Sequence, residues 1–161
     1  MIPKTMSELE ELRVECRQMV NKRASASAAA AVVPVLGLDV GADLTIMYEL
    51  VKTINEKFGL SPSQLERVSS AVKGRILVLA TSLGSEYIGR VVTKKMLAAL
   101  LKKTTKKIAV KQVTKFVPFV GQAVAASISF SAMRYLGNAH VEKCYEVCKQ
   151  LLEEQTLMMQ E

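Results

Sequence analysis

The pentapeptide Val33-Pro34-Val35-Leu36-Gly37 returns as Val117-Pro118-Phe119-Val120-Gly121, 84 residues further on, and no other feature constrains the fold as much. Proline lacks the N–H that a helix interior needs and biases the residue before it towards extended backbone, so each copy ends an incoming helix. Glycine then turns the chain, and an alanine-rich outgoing segment follows. The correspondence continues with Val40 and Val124, Ala42 and Ala126, and Ile46 and Phe130. Small residues on both outgoing helices let backbones approach closely. The repeat therefore predicts an all-α, compact multi-helix domain built around two Pro-Gly helical hairpins, turned at Pro34, Gly37 and Asp39 and at Pro118 and Gly121. Val-Pro-x-x-Gly by itself is also a general way to join two helices; the extended second copy is what strengthens the inference.

Composition agrees with helices. Half of the 161 residues are hydrophobic but only 5% are aromatic and none is Trp, so aliphatic side chains must build the core. A chain this apolar is excluded from the disordered class. Its length suits one domain, with residues 1–6 as an N-terminal tail, 7–160 as a helical bundle, and no nucleotide-binding domain. Cys16, Cys144 and Cys148 are too few for a disulfide scaffold, and a reducing compartment is the default. Glu8, Glu10, Glu11 and Glu15 within the apolar positions, Ile2 at the second position and the Met-Met-Gln-Glu end lead to the expectation of no secretory signal, myristoylation or prenylation for the sequence as it stands. A cytoplasmic location is expected. The longest uncharged run, the 18 residues Phe116–Met133, reaches the lower edge of a membrane span. Pro118, Gly121, Gln122 and three serines within it favour a buried core helix.

Local signals place the other helices. Ser7-Glu8-Leu9-Glu10 has the capping-box form, and a first helix runs from there through the Ala24–Ala31 run to Pro34. Asp39 can cap the next, which closes at Phe58-Gly59. Ser61-Pro62-Ser63-Gln64 starts another, continued by Leu65, Val68 and Val72 to about Gly74. Arg75–Leu83 reads as helix despite its Ile-Leu-Val-Leu run, since no second strand accompanies it. Gly84 and Gly89 bracket a break, and a basic helix follows from about Gly89 to Lys107. Two final helices, Phe119–Leu136 and Ala139–Gln160, are expected on either side of Gly137-Asn138.

No catalytic constellation assembles from these residues. Gly84-Ser85-Glu86-Tyr87-Ile88-Gly89-Arg90-Val91 has the glycine spacing of a phosphate loop but lacks its lysine and its magnesium-binding hydroxyl, and Glu86 would repel phosphate. His140 and Cys144 are one helical turn apart, yet two ligands do not close a zinc site. Cys144 and Cys148 are also one turn apart and suit a core or boundary position. Asp39 and Asp43 complement a helix N-terminus. The expectation is a non-enzyme, with no cofactor and no metal.

Charge is the stronger signal. The net +7 divides into 0 for Met1–Glu86, +10 for Tyr87–Val141, where no acid occurs, and −3 for Glu142–Glu161. At 100° per residue, Lys95, Lys102, Lys103 and Lys106 share one helical face, and Leu97, Leu100, Leu101 and Ile108 lie largely opposite. Arg90, Lys94 and Lys107 add to the segment. A basic face backed by an aliphatic one suits an anionic membrane surface or a partner groove; a solvated lysine face over a core-facing stripe has the same pattern. Nucleic acid is not expected, because no reading helix or aromatic platform accompanies the charge.

From Leu9 to Leu152 the chain resembles the helical domain of immunity-related (interferon-inducible) GTPases. The likeness rests on Val33-Pro34-Val35-Leu36-Gly37-Leu38-Asp39, then Asp43 and Phe58-Gly59-Leu60-Ser61. Lys115-Phe116-Val117-Pro118-Phe119-Val120-Gly121, Ser129-Phe130 and the closing Cys144–Leu152 helix continue it. A bacterial family of membrane-linked Pro-Gly helical hairpins is similar. The first resemblance implies membrane association, self-association or docking on a GTPase-family protein, and a role in cell-autonomous innate immunity. The amphipathic Arg90–Lys107 segment is the implied attachment region. That family's GTPase domain has no counterpart here, so GTP is implied only if a separate GTPase domain or partner supplies the site. A cytosolic regulator that docks on a full-length GTPase is the alternative.

Overall fold

The computed structural model describes the backbone of residues 1–32, 39–112 and 121–158, and the side chains of 1–26, 44–104 and 129–157. Among these residues the fold is all-helical, with no strand. The order is α1 (Met6–Val32), α2 (Asp39–Lys57), α3 (Pro62–Leu65), α4 (Ser70–Ser82), α5 (Lys94–Gln112) and α6 (Gly121–Met158). Pro34, Gly37 and Pro118 lie outside the described residues, and so do the turns of both expected hairpins; Asp39 and Gly121 are the first residues of α2 and α6.

Two units make up the chain: Met1–Arg17 with Val51–Val91 and Ala139–Glu161, and Gln18–Leu50 with Val92–Asn138. The first buries Leu9 and Cys16 of α1, Val51, Ile54 and Phe58 of α2 and its end, Leu65 of α3, Ile76 and Leu79 of α4, and Val141, Cys144, Val147 and Cys148 of α6. The second buries Val20 and Ala24 of α1, Met47 and Leu50 of α2, Leu97 and Leu101 of α5, and Ala132, Met133 and Leu136 of α6. Recurrence at three and four residues is what a helix needs to turn one stripe inward.

Helix ends follow from side-chain chemistry, and several differ from the sequence expectation. The first cap is Thr5 rather than Ser7. Thr5 Oγ1 accepts the Glu8 N–H at 3.2 Å, while Glu8 Oε2 accepts the Lys4 N–H at 2.9 Å. Thr5-Met6-Ser7-Glu8 satisfies the same Ser/Thr-x-x-Glu pattern two residues earlier, and it frees Leu9 for the core. At the end of α2, the Leu60 N–H reaches Asn55 O and the Gly59 N–H reaches Glu56 O, at 2.8 and 3.2 Å. This is a Schellman closure, and Gly59 has the φ of +72° that it requires. The end of α4 repeats it: Ser85 N–H to Ala80 O and Gly84 N–H to Thr81 O, with φ +63° at Gly84.

Ser61 starts α3 as expected, with Gln64 Oε1 accepting from the Ser61 backbone N–H and hydroxyl. The helix does not continue to Gly74. It stops at Leu65, and α4 starts afresh because Ser69 Oγ accepts the Val72 N–H at 3.3 Å. A serine hydroxyl that takes a backbone N–H competes with the continuing helix ladder. Arg75–Leu83 is helical, apart from its last residue, which caps α4.

The expected break at Gly137-Asn138 is absent, and α6 runs through it for 38 residues. Here glycine serves proximity instead of termination. A Cβ at residue 137 would stand 2.8 Å from Val20 Cγ1 and 3.1 Å from Leu50 Cδ2. A methyl group has no room, so the absent side chain lets α6 lie against α1 and α2 within the second unit.

Candidate functional site

The basic helix begins later than its composition suggests. Thr93 caps α5, with Oγ1 accepting the Met96 N–H at 3.3 Å, so Arg90 precedes the helix. Arg90, Lys94, Lys95, Lys102 and Lys103 are exposed, and among the described residues none of them makes an ion pair. The opposite face is occupied. Leu97 and Leu101 are buried, Leu100 is half-buried, and Thr104 extends the inward stripe one further turn. Lys106, Lys107 and Ile108 fall within the bounds of α5, and their side chains lie outside the described residues. The amphipathic pattern was thus legible, and its aliphatic half is spent on the core of the second unit.

In the first unit, several cations are paired. Glu142 of α6 receives Arg13 and Arg17 of α1, the Arg13 guanidinium also lies 4.4 Å over the Tyr145 ring, and Tyr145 donates to Glu10. That phenol holds the Glu10 carboxyl below its usual range, with Arg13 adding to the effect. Arg75 pairs with Glu154 and Lys57 with Glu15. Lys94, Lys95, Lys102 and Lys103 of α5 have no such partner among the described residues, and residues 87–141 supply no acid.

The second place with chemistry is a buried polar cluster in the first unit. Asn55 Nδ2 donates to Tyr87 O at 2.7 Å, which leaves Asn55 Oδ1 as acceptor. His140 Nε2 lies 2.9 Å from that oxygen, so Nε2 carries the proton and Nδ1 is bare. Cys144 Sγ is 3.7 Å from both Asn55 Oδ1 and His140 Nε2. The Tyr87 ring meets the imidazole edge-on at 6.1 Å, and Lys143 Nζ donates to Gly84 O at 2.7 Å. Burial and the neighbouring Lys143 lower the His140 pKa to about 4, and burial pushes the Cys144 thiol well up.

Cysteine, histidine and asparagine together have the membership of a nucleophilic triad, but not its arrangement. A triad needs base and orienting group on different imidazole nitrogens, and a thiol driven towards thiolate. Here thiol and amide address the same nitrogen, all three residues are buried, and the thiol is made less acidic. The cluster locks packing. Among the described residues no group of three His, Cys, Asp or Glu side chains is placed to hold a metal.

Gly84–Gly89 is likewise structural. The N–H groups of Gly84, Ser85 and Gly89 are committed to Thr81, Ala80 and Leu60 carbonyls, so they do not line a phosphate cradle. The Asp39 and Asp43 side chains lie outside the described residues. Among those described, no helix is long and apolar enough to cross a membrane. Sequence reasoning missed Asn55 and Tyr87. For Asn55 a signal existed: an amide at the position after Ile54, on the face carrying Val51 and Phe58, must find buried partners. The chain matches no family model, no curated protein and no solved structure.

Proposed function

We propose that the chain acts as a non-catalytic helical module of the immunity-related GTPase type, associating with anionic membrane surfaces and with a protein partner in cell-autonomous defence. The observation that carries the membrane part is the exposed set Lys94, Lys95, Lys102 and Lys103 of α5, without an ion pair among the described residues and in a stretch without acids. Each such cation contributes about 1 kcal/mol next to an anionic leaflet. Since Leu97 and Leu101 are packed inward, association of this kind is electrostatic and peripheral, and it weakens as salt rises. The likeness of the two Pro-Gly segments to that family supplies the defence setting, and no nucleotide site is ascribed to the chain itself.

Sedimentation with liposomes tests this. Binding is expected with phosphatidylserine-containing vesicles and not with neutral ones, and should fall with salt. The double variant Lys102→Gln/Lys103→Gln should bind roughly 30-fold more weakly, as loss of two such cations implies. Equal or absent sedimentation with both vesicle types would refute the membrane part. The burial of Leu97 and Leu101 favours one further reading, a cytosolic regulator that docks on a full-length GTPase through the same lysines. A pull-down that succeeds without lipid identifies it.

A further inference from the structure

The geometry points to His140 as an acid-operated latch: the neutral ring secures the Leu83–Val91 segment to α6 through Asn55, and a proton on Nδ1 releases it. The latch is independent of the function proposed above.

Asn55 is the hub. Its amide nitrogen holds Tyr87 O, and its oxygen accepts from His140 Nε2. The imidazole is buried, and its Nδ1 has no hydrogen-bond partner among the described residues. Neutral histidine tolerates a bare lone pair there. Imidazolium carries a second N–H at that atom, and a buried charged donor without an acceptor is strongly disfavoured.

The surroundings give the proton no support. Facing the ring are Lys143 and Cys144 of α6 and Tyr87 of the segment, while α2 contributes the uncharged Asn55. Cys16 of α1 acts on Cys144. No carboxylate stands among them, and Lys143 opposes a second positive charge. Ser85, buried in the same segment, has a hydroxyl without a partner among the described residues. The backbone there is held by Ser85 N–H to Ala80 O and by Lys143 Nζ to Gly84 O, the one further hydrogen bond to α6 among those described.

Protonation therefore proceeds through an opened form in which the ring meets water and regains its ordinary pKa of 6.5, against about 4 when closed. The closed form binds fewer protons, so closure is at full strength above pH 6.5 and is lost progressively down to about pH 4. Between pH 7 and pH 5 the open population rises about 20-fold from this group alone.

Hydrogen exchange with mass spectrometry, corrected for the intrinsic pH dependence of exchange, tests the latch on the whole chain. Peptides covering Leu83–Val91 should lose about 20-fold in protection between pH 7 and pH 5, and those from the first turns of α1 should not. In His140→Gln, whose amide can still donate to Asn55 Oδ1, the pH dependence should vanish. The same loss in both proteins, or a loss spread evenly along the chain, overturns the latch. Should the variant not fold, the imidazole can be followed directly by NMR, since the chain has one histidine. A titration well below 6.5 from an Nε2-protonated ring supports the latch, and a midpoint near 6.5 in the folded protein overturns it.

Discussion

Two helical glycines should respond to the same substitution with opposite sign. Gly74 lies within α4 and a Cβ there meets none of the described residues within 4 Å, whereas at Gly137 in α6 it would stand 2.8 and 3.0 Å from the two methyls of Val20 and 3.1 Å from Leu50. Alanine in place of glycine favours a helix by about 1 kcal/mol. Gly74→Ala should receive that amount intact. Gly137→Ala receives it too, but overpacking a filled interior costs about 1–3 kcal/mol, and valine γ-carbons are stiff about χ1 and yield little. The net expectation is about +1 kcal/mol for Gly74→Ala and about −1 kcal/mol for Gly137→Ala. That gap of about 2 kcal/mol corresponds to roughly 4–8 °C in Tm at this chain length. Urea unfolding followed by circular dichroism, with m-values compared for constancy, measures both. Val20→Ala should cost less in the Gly137→Ala background than in the parent, by about 1 kcal/mol, because it vacates the space the new methyl needs. If Gly137→Ala stabilises as much as Gly74→Ala, the close approach of α6 to Val20 and Leu50 is refuted.

Further outcomes follow from caps, ion pairs and burial. Thr5→Ala should lower stability by about 1 kcal/mol while Ser7→Ala leaves it within about 0.3 kcal/mol, and urea midpoints that rank the two in reverse would restore Ser7 as the cap. Glu142→Gln removes the charge that faces both Arg13 and Arg17 at a site that is part-exposed, so a loss of about 0.3–1 kcal/mol is expected; no change in the urea midpoint would count against the Arg13–Glu142–Arg17 arrangement. Burial pushes Cys16 up to about 11 and Cys148 up to about 12, so at pH 8 the native thiols should react with an aromatic disulfide reagent at least about 100-fold more slowly than in urea. Native and unfolded rates within tenfold of one another would contradict that burial.

Helix type was legible throughout, and helix ends much less so. The α5 stripe could be written down from Leu97 and Leu101 and the lysines that flank them, because periodicity is a local property. Gly137 could not. Glycine reads as a stop wherever contacts are unknown, and only the positions of Val20 and Leu50, more than eighty residues away in sequence, reveal that it marks a close approach. The same holds at Ser69, where two serines in succession offered a cap that competed with Leu65–Val72 periodicity, and the hydroxyl prevailed. At the amino end, two overlapping capping boxes satisfied one pattern, and the burial of Leu9 selects Thr5. For the polar cluster, His140 and Cys144 were visible as a one-turn pair, but Asn55 joins them from 85 residues away. The absence of acids between Tyr87 and Val141 was plain, whereas the inward commitment of Leu97 needed the fold.

The packing of Leu97, Leu101 and Thr104 has a metric consequence for the lysines behind them. A helix fixed by its inner face holds its outer charges at set intervals, and the Lys94-Lys95 and Lys102-Lys103 pairs stand about 12 Å apart along the axis. Physiological salt screens charges over about 8 Å. Each pair therefore presents its own electrostatic field, and the helix sets the separation between the two like a ruler.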